Sequence, residues 1–237
     1  MNVVGHRGAS GALPENTPAA FERADEMGAD GVELDVRIAP DGRSGSRLVV
    51  FHNPLPASQA ELDALPSFDD VLDACGDRML VNVEIKNSDD EGGHDATMAV
   101  VPPTVAVMRR RGRSWADRWL FSSFDSATMD HCRRAAPEIP TALLVGEVTD
   151  EAIAAALAAG HVAIHPWVDR LTAERVEACR AAGLLVNTYT CNDPDRLREL
   201  AEMGVDGVCT DVPDIARAAL GRDADPADLS PSWGTRA

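Results

Sequence analysis

Short apolar runs rich in β-branched residues alternate along this chain with segments of helical period that are rich in Ala, Glu and Arg. No linker rich in Ser or Pro divides the alternation into halves. Strands that alternate with helices form right-handed βαβ units, and successive units build a parallel sheet. We therefore expect an α/β fold. The predicted strands are Val3–Gly5, Gly31–Val36, Leu80–Ile85, Trp119–Ser122, Thr141–Val145, Val162–His165, Leu184–Thr188 and Gly207–Thr210.

A helical segment follows each predicted strand. The predicted helices are Pro18–Met27, Phe68–Ala74, Thr97–Arg111, Ser126–Ala135, Glu151–Ala158, Thr172–Ala182, Pro194–Met203 and Pro213–Leu220. Eight strand–helix repeats in about 220 residues are typical of a small closed (β/α)8 TIM barrel, and a doubly wound open sheet is the alternative. We predict a single barrel in residues 1–220 and a polar C-terminal tail in residues 221–237.

Acidic residues outnumber basic ones: 39 Asp and Glu against 22 Lys and Arg give a formal net charge of −17. This charge repels nucleic-acid backbones at long range, so no nucleic-acid partner is expected. No segment has the roughly 18 consecutive apolar residues of a membrane span. The N-terminus has no signal-peptide pattern and the five cysteines form no CxxC pair, which together predict a cytoplasmic location. The sequence does not indicate the oligomeric state.

Two predicted strands carry charge where a barrel interior is normally apolar. Glu33 and Asp35 share one face of the second strand, and Glu84 and Lys86 share one face of the third. Because the opposite faces are apolar and must meet the helices, the charged faces point inward. One interpretation is a salt-bridge network in which Lys86 and Arg37 neutralise two of the carboxylates. The other is a divalent cation held by the three carboxylates, and all-oxygen ligands favour Mg²⁺ or Ca²⁺ over zinc.

Two histidines are expected at the same end of the barrel. His6 and Arg7 end the first predicted strand, and His52 follows the run Leu48–Phe51, which is predicted to pair as an extra strand. Catalytic residues of such barrels gather at the carboxyl ends of the strands. Two imidazoles can act as an acid–base pair, and Arg7 with Lys86 can bind an anion. The sequence therefore predicts a catalytic site at the barrel mouth.

These residues lie within an ordered set of motifs. GHRG with PENT, GVELDV, the histidine after VVF, NVEIK, FSSF and a closing DGVCTD follow one another between about Val3 and Leu220. As an ordered set, the motifs resemble those of the glycerophosphodiester phosphodiesterases. The sequence departs from the family's pattern at Asn53, where an Asp is usual after the histidine, and at Tyr189, where a Trp is frequent.

The resemblance implies a (β/α)8 barrel that hydrolyses glycerophosphodiesters to sn-glycerol 3-phosphate and an alcohol. It implies one divalent cation, Mg²⁺ or Ca²⁺, as cofactor and a small-molecule diester as partner. The implied metal ligands are Glu33, Asp35 and Glu84, the implied acid–base pair is His6 and His52, and the implied phosphate-binding residues are Arg7 and Lys86.

Four further residues are assigned to substrate binding: Glu15, Asn16, Phe124 and Tyr189. Glu15 and Asn16 either brace the mouth through hydrogen bonds or simply form the turn that caps the first helix. The sequence does not decide which histidine is the acid. Nor does it decide whether water or the neighbouring glycerol hydroxyl attacks the phosphorus, the latter giving a cyclic phosphate first.

Two other functions stay open at this point. An inward-pointing lysine on a barrel strand is what a Schiff-base aldolase requires, and Lys86 has that position. The barrel mouth could also bind a metal or a phosphate ligand without catalysing a reaction.

Overall fold

The computed structural model describes residues 1–42, 45–88, 94–112, 117–222 and Trp233. The strands are β1 (Asn2–His6), β2 (Gly31–Pro40), β3 (Ser46–Val50), β4 (Leu80–Ile85), β5 (Trp119–Ser123), β6 (Thr141–Val145), β7 (Ala163–Pro166), β8 (Leu185–Thr188) and β9 (Gly207–Thr210). The helices are α1 (Pro18–Glu26), α2 (Gln59–Asp63), α3 (Phe68–Ala74), α4 (Val101–Arg110), α5 (Ser126–Ala135), α6 (Asp150–Ala158), α7 (Ala173–Ala181), α8 (Pro194–Met203) and α9 (Pro213–Ala219).

Eight parallel strands close into a barrel. They follow the order β1, β2, β4, β5, β6, β7, β8 and β9 around the sheet, and β9 returns to pair with β1. Val4 of β1 therefore has Gly31 of β2 on one side and Cys209 of β9 on the other. A closed ring leaves no open sheet edge, so the prediction of a single (β/α)8 TIM barrel is confirmed and the open sheet is excluded.

The remaining strand, β3, forms a hairpin above the barrel. It pairs antiparallel with the part of β2 that extends beyond the rim, from Val36 opposite Val50 to Pro40 opposite Ser46. The Phe51 N–H, just after β3, donates to the Asp35 carbonyl at 2.9 Å. The predicted extra strand is thus confirmed, and it delivers the residues that follow it to the carboxyl ends of the barrel strands.

Two helical segments differ from the sequence prediction. Helix α2 was not predicted, because it has only five residues and is too short to show a helical repeat. Helix α4 begins at Val101 rather than Thr97, with Pro102 in its first turn. The Asp95 carboxylate accepts the N–H groups of Thr97 and Ala99, so the preceding residues form a separate turn.

The floor of the barrel is apolar. It consists of Val4, Leu80, Leu120, Ala142, Ala163, Leu185, Cys209 and Trp233. Trp233 is only 7% exposed, and its Nε1–H donates to the Arg118 carbonyl at 2.9 Å. Residues 223–232 and 234–237 of the predicted tail lie outside the described residues, so the division at residue 220 stays a prediction. None of the described helices is long and apolar enough to cross a membrane.

Candidate active site

A cavity of about 140 Å³ opens at the carboxyl ends of the barrel strands. Its lining consists of inward-pointing strand residues and residues just beyond them: His6, Arg7, Glu33, His52, Asn82, Glu84, Lys86, Phe124, Leu144, His165, Asn187, Tyr189 and Cys209. Three of the predicted site residues, Glu15, Asn16 and Asp35, are not part of this lining. Each of these three residues contacts a residue of the lining, Glu15 and Asn16 through Arg7 and Asp35 through Lys86. The predicted site residues therefore form one connected group.

Three buried carboxylates meet at one side of the cavity. Glu33 and Asp35 come from β2 and Glu84 from β4, and the parallel pairing of these strands sets Asp35 beside Glu84. The three residues each offer an oxygen atom within 4.8 Å of the others. They are 4%, 0% and 8% exposed respectively. This is the spacing and the burial expected of side chains that share one cation.

Burial and neighbouring charges shift the pKa values of two of these carboxyls in opposite directions. Burial, followed by the charges of Asp35 and Glu84, raises the pKa of Glu33 well above its ordinary value. Burial acts the same way on Asp35, but Lys86 and Arg7 outweigh it and lower the pKa of that carboxyl. Glu33 Oε1 is buried and has no hydrogen-bond partner among the described residues. An unpartnered buried carboxylate oxygen fits a divalent cation, which would supply the missing positive charge.

Two cationic side chains flank the carboxylates. Lys86 Nζ lies 3.1 Å from Asp35 Oδ1 and also contacts Glu84. Arg7 Nε lies 3.3 Å from Asp35 Oδ2. With a φ of 55°, Arg7 is in the left-handed region, and its backbone N–H points at Glu33 Oε2 at 3.1 Å. We call Arg7, Glu33, Asp35, Glu84 and Lys86 the charged side of the cavity.

The PENT segment supports the charged side from outside the cavity. Asn16 is 2% exposed, and its Nδ2 donates to Asp35 Oδ2 at 2.8 Å. Its backbone N–H donates to the Arg7 carbonyl at 3.0 Å. Glu15 accepts a hydrogen bond from Arg7 NH1 at 2.9 Å. Thr17 caps helix α1, so the segment both ends the turn and braces the charged side.

His6 is held by a carboxylate that the predicted site did not include. His6 Nδ1 lies 2.7 Å from Asp211 Oδ1, just after β9. Asp211 also accepts hydrogen bonds from Ser10 Oγ at 2.9 Å and Asn192 Nδ2 at 2.6 Å. Partial burial opposes ionisation, but these hydrogen bonds outweigh it and lower the pKa of Asp211 to about 2. An ionised Asp211 orients the ring and leaves Nε2 of His6 as the nitrogen available for proton transfer.

His52 is held in a different way, through its backbone. Its carbonyl accepts hydrogen bonds from Arg37 NH2 at 2.8 Å and Arg37 Nε at 3.3 Å. Its ring Nδ1 lies 3.2 Å from Asn53 Oδ1. Partial burial, with the positive charges of Lys86 and Arg7, lowers the pKa of His52 even though Asp35 acts in the opposite direction. The neutral form of this imidazole is therefore favoured.

The strands across the barrel contribute no formal charge. Leu144, His165 and Asn187, from β6, β7 and β8, line the cavity, and we call them its neutral side. Asn187 Nδ2 lies 3.0 Å from His165 Nε2. Complete burial lowers the pKa of His165 to about 3. Sequence patterns do not reveal this pair, because isolated polar residues in two short strands form no motif.

Two aromatic side chains stand at the outer edge of the cavity. The Phe124 and Tyr189 rings meet edge to face, with centroids 6.0 Å apart. Tyr189 donates its hydroxyl hydrogen to the Val145 carbonyl at 3.1 Å, whereas Phe124 is 39% exposed. Both residues, which the sequence predicts to bind substrate, therefore line the cavity.

The chain is similar to known proteins over most of its length. Residues 6–55 and 43–215 match the Glycerophosphoryl diester phosphodiesterase family. The chain is 33% identical to the uncharacterized protein YqiK of Bacillus subtilis, across 92% of this chain and 98% of that one. It is 29% identical to a glycerophosphodiester phosphodiesterase of Caldanaerobacter subterraneus subsp. tengcongensis, across 90% and 94%. A phosphodiesterase of Oleispira antarctica, solved in complex with the product sn-glycerol-3-phosphate, has the same fold, with a TM-score of 0.81, 23% identity and coverage of 93% and 97%.

Proposed function

Because the chain belongs to the glycerophosphoryl diester phosphodiesterase family, and is thus a phosphoric diester hydrolase, we propose that it cleaves glycerophosphodiesters to sn-glycerol 3-phosphate and an alcohol with the help of a divalent cation and two histidines. One observation carries the proposal: three buried carboxylates, two imidazoles and two cationic side chains meet around a single cavity. The name of the Caldanaerobacter relative and the product bound to the Oleispira protein agree with this substrate class.

Glu33, Asp35 and Glu84 would hold the cation, either Mg²⁺ or Ca²⁺. When bound, the ion supplies a Lewis acid that stabilises charge on the phosphoryl oxygens. Three observations support this role. The ligand atoms are all oxygens, the pKa of Glu33 is raised, and Glu33 Oε1 has no hydrogen-bond partner among the described residues. Arg7 and Lys86 carry two positive charges, whereas the three carboxylates carry three negative charges when ionised. A bound cation would therefore neutralise the remaining negative charge of the site.

Arg7 and Lys86 bind the phosphate of the diester. Both side chains are largely buried and already lie against carboxylates, which keeps them charged and in place before the substrate arrives. Glu15 orients Arg7, and Asn16 orients Asp35. A preorganised pair of cations stabilises the extra negative charge of the transition state without reorganisation.

His6 and His52 carry out the proton transfers. One imidazole removes the proton of the attacking hydroxyl, from water or from the glycerol, as the new bond to phosphorus forms. Attack by the glycerol hydroxyl gives a cyclic phosphate, which water must then open in a second step to give sn-glycerol 3-phosphate. The other gives a proton to the oxygen of the departing alcohol as its bond to phosphorus breaks. Asp211 orients His6, and Arg37 with Asn53 orients His52. Phe124 and Tyr189 provide an apolar wall for the departing alcohol.

The geometry of Lys86 opposes the aldolase alternative. A Schiff base forms from a free amine, whereas the ion pairs of Lys86 with Asp35 and Glu84 stabilise the ammonium form.

The test is hydrolysis of glycerophosphocholine, with identification of the products, in protein treated with chelator and then supplied with Mg²⁺ or Ca²⁺. We expect release of choline, loss of activity on chelation and recovery with one of the two ions. Hydrolysis that continues unchanged in chelator contradicts the metal role. Binding of the ion or of phosphate without any hydrolysis supports the non-catalytic alternative.

A further inference from the structure

Asn82 is a buried polar residue of the cavity to which the proposed function gives no role. It lies on β4, two residues before Glu84, so both side chains point into the barrel from the same face of the strand. It is 2% exposed and lines the cavity. Its Oδ1 is buried and accepts no hydrogen bond from any residue in the described ranges. A buried amide oxygen without a partner costs free energy, which a bound ligand would offset.

A second unpartnered oxygen belongs to the residue beside Asn82. On β2, Glu33 is in register with Asn82, and Glu33 Oε1 is likewise buried without a partner in the described part of the chain. Neighbouring strands are about 4.8 Å apart, so residues in register have adjacent side chains. Both oxygen atoms are hydrogen-bond acceptors, so neither can satisfy the other. A cation that both atoms contact would satisfy both.

The remaining neighbours of Asn82 on the inner face of the sheet are apolar. Leu120 is in register with it on β5, and Leu80 precedes it by two residues on β4. Both leucines are fully buried and belong to the floor of the barrel. Asn82 therefore stands between the apolar floor and the carboxylates of Glu33 and Glu84. At this position its oxygen adds to the group that would hold the cation.

A neutral fourth oxygen distinguishes the two candidate ions. Ca²⁺ takes about six to eight oxygen ligands in flexible geometry, and side-chain amide oxygens are among them. Mg²⁺ is smaller, keeps several of its waters and is usually held by about one or two carboxylates. A site with three carboxylates and an amide oxygen therefore suits Ca²⁺ better than Mg²⁺.

We propose that Asn82 Oδ1 is a fourth ligand of the cation and makes the site selective for Ca²⁺ over Mg²⁺. This inference rests on the proposed function, in which Glu33, Asp35 and Glu84 hold one of these two ions. The carboxylates supply the negative charge that attracts either ion. The amide adds a ligand without adding charge, so it acts on the choice between the ions.

The experiment is isothermal titration calorimetry of the chelator-treated protein with Ca²⁺ and with Mg²⁺, which measures both Kd values without turnover. We expect the wild-type protein to bind Ca²⁺ more tightly. Asn82→Leu removes the oxygen and keeps a side chain of similar shape. It should weaken Ca²⁺ binding by about 10-fold or more and Mg²⁺ binding by less, so the selectivity falls. Asn82→Asp keeps an oxygen at this position and should retain Ca²⁺ binding. Asn82→Ala tests the same loss if the leucine prevents folding.

Asn187 provides a matched control. It is also a buried asparagine that lines the cavity, but it lies on β8 and its amide is hydrogen-bonded to His165. Asn187→Leu should leave both Kd values unchanged. If the wild-type protein binds neither ion, the metal role in the proposed function fails.

The inference about Asn82 can fail while the carboxylate site stands. A wild-type preference for Mg²⁺ would overturn it. So would an Asn82→Leu variant that keeps the wild-type ratio of the two Kd values, because the amide would then contact only protein or water. Equal weakening of both ions is the result that a general structural defect gives, and it too contradicts a selective ligand.

Discussion

The charged side and the neutral side occupy equivalent parts of one barrel but differ in chemistry. On the charged side, buried charges compensate one another, as Lys86 does with Asp35 and Glu84. On the neutral side, His165 and Asn187 share a single hydrogen bond between uncharged groups. The fold decides that inward residues near the carboxyl ends of the strands meet at the mouth. The residue at each inward position then decides the chemistry of that part of the mouth.

The difference also shows in the ionisation of buried groups. Asp35 stays ionised although it is fully buried, because two cations lower its pKa. His165 is also buried, but none of the charged groups in the described part of the chain shifts its pKa, and desolvation lowers that pKa to about 3. Burial therefore permits charge only where an opposite charge is close. The mouth therefore separates a charged region from an uncharged one.

The largest effect is expected from removing a carboxylate of the charged side. Glu33→Gln or Asp35→Asn should abolish turnover, because the remaining ligands no longer hold the cation firmly. Isothermal titration calorimetry with Mg²⁺ and Ca²⁺ measures the loss of binding directly, independently of activity. Glu22→Gln makes the same chemical change on the exposed surface of α1 and should leave both properties intact. Full activity and unchanged ion binding in either carboxylate variant would disprove the metal site.

Removal of either histidine should have the next largest effect. His6→Ala and His52→Ala should each lower kcat by ~10²–10⁴, the usual contribution of general acid–base catalysis. A diester with a nitrophenol leaving group needs little protonation, so it should be affected less by loss of the acid than by loss of the base. The kcat values of both variants on alkyl and nitrophenyl diesters therefore assign the two roles.

His131 on α5, which does not line the cavity, supplies the control for the histidine variants. His131→Ala should behave as the wild-type protein on both substrates. A near-normal rate of His52→Ala on an alkyl diester would show that His52 has no catalytic role.

Lys86 tests whether the charged side acts through charge. Lys86→Met should lose roughly 10²-fold in kcat, as expected when one preorganised cation is removed from a transition state. Lys86→Arg should retain part of the activity because it keeps the charge. Borohydride treatment in the presence of carbonyl compounds should trap no adduct. A reduced adduct at Lys86 in mass spectra would favour the aldolase.

The sequence predicted the charged side well because its pattern is local. Glu33 with Asp35 and Glu84 with Lys86 are two residues apart, so alternation along a strand is enough to place them on one face. Alternation of strands and helices likewise predicted the barrel. Contacts that depend on closure of the barrel could not be seen in this way. His6 and Asp211 are 205 residues apart and meet only because β9 returns to β1.

The neutral side escaped prediction for a related reason. The inward residues two positions before His165 and Asn187 are Ala163 and Leu185, so neither strand shows a two-residue repeat of polar side chains. The salt-bridge interpretation pairs Arg37 with a carboxylate, but its hydrogen bonds to the His52 carbonyl depend on how the β2–β3 hairpin folds back and leave no pattern in the sequence. Local periodicity therefore identifies groups on one strand, and a tertiary contact between strands needs the structure.

The smallest expected effect concerns the pH dependence of stability and tests the neutral side alone. His165 has its pKa lowered from 6.5 to about 3 in the folded protein, so below pH 6.5 the unfolded chain binds a proton that the folded protein does not. The contribution of His165 to stability is complete above that pH and is lost as the pH falls towards 3, with a slope of at most about 1.4 kcal/mol per pH unit. His165→Gln should therefore show a shallower fall in the free energy of unfolding between these two pH values, as measured by urea denaturation. His131→Gln, the same change at a histidine of α5 that does not line the cavity, serves as the control. If the pH dependence of unfolding is the same in His165→Gln as in the wild-type protein, His165 is protonated in the folded protein below pH 6.5. The side of the cavity formed by Leu144, His165 and Asn187 would then carry a charge and would not be neutral.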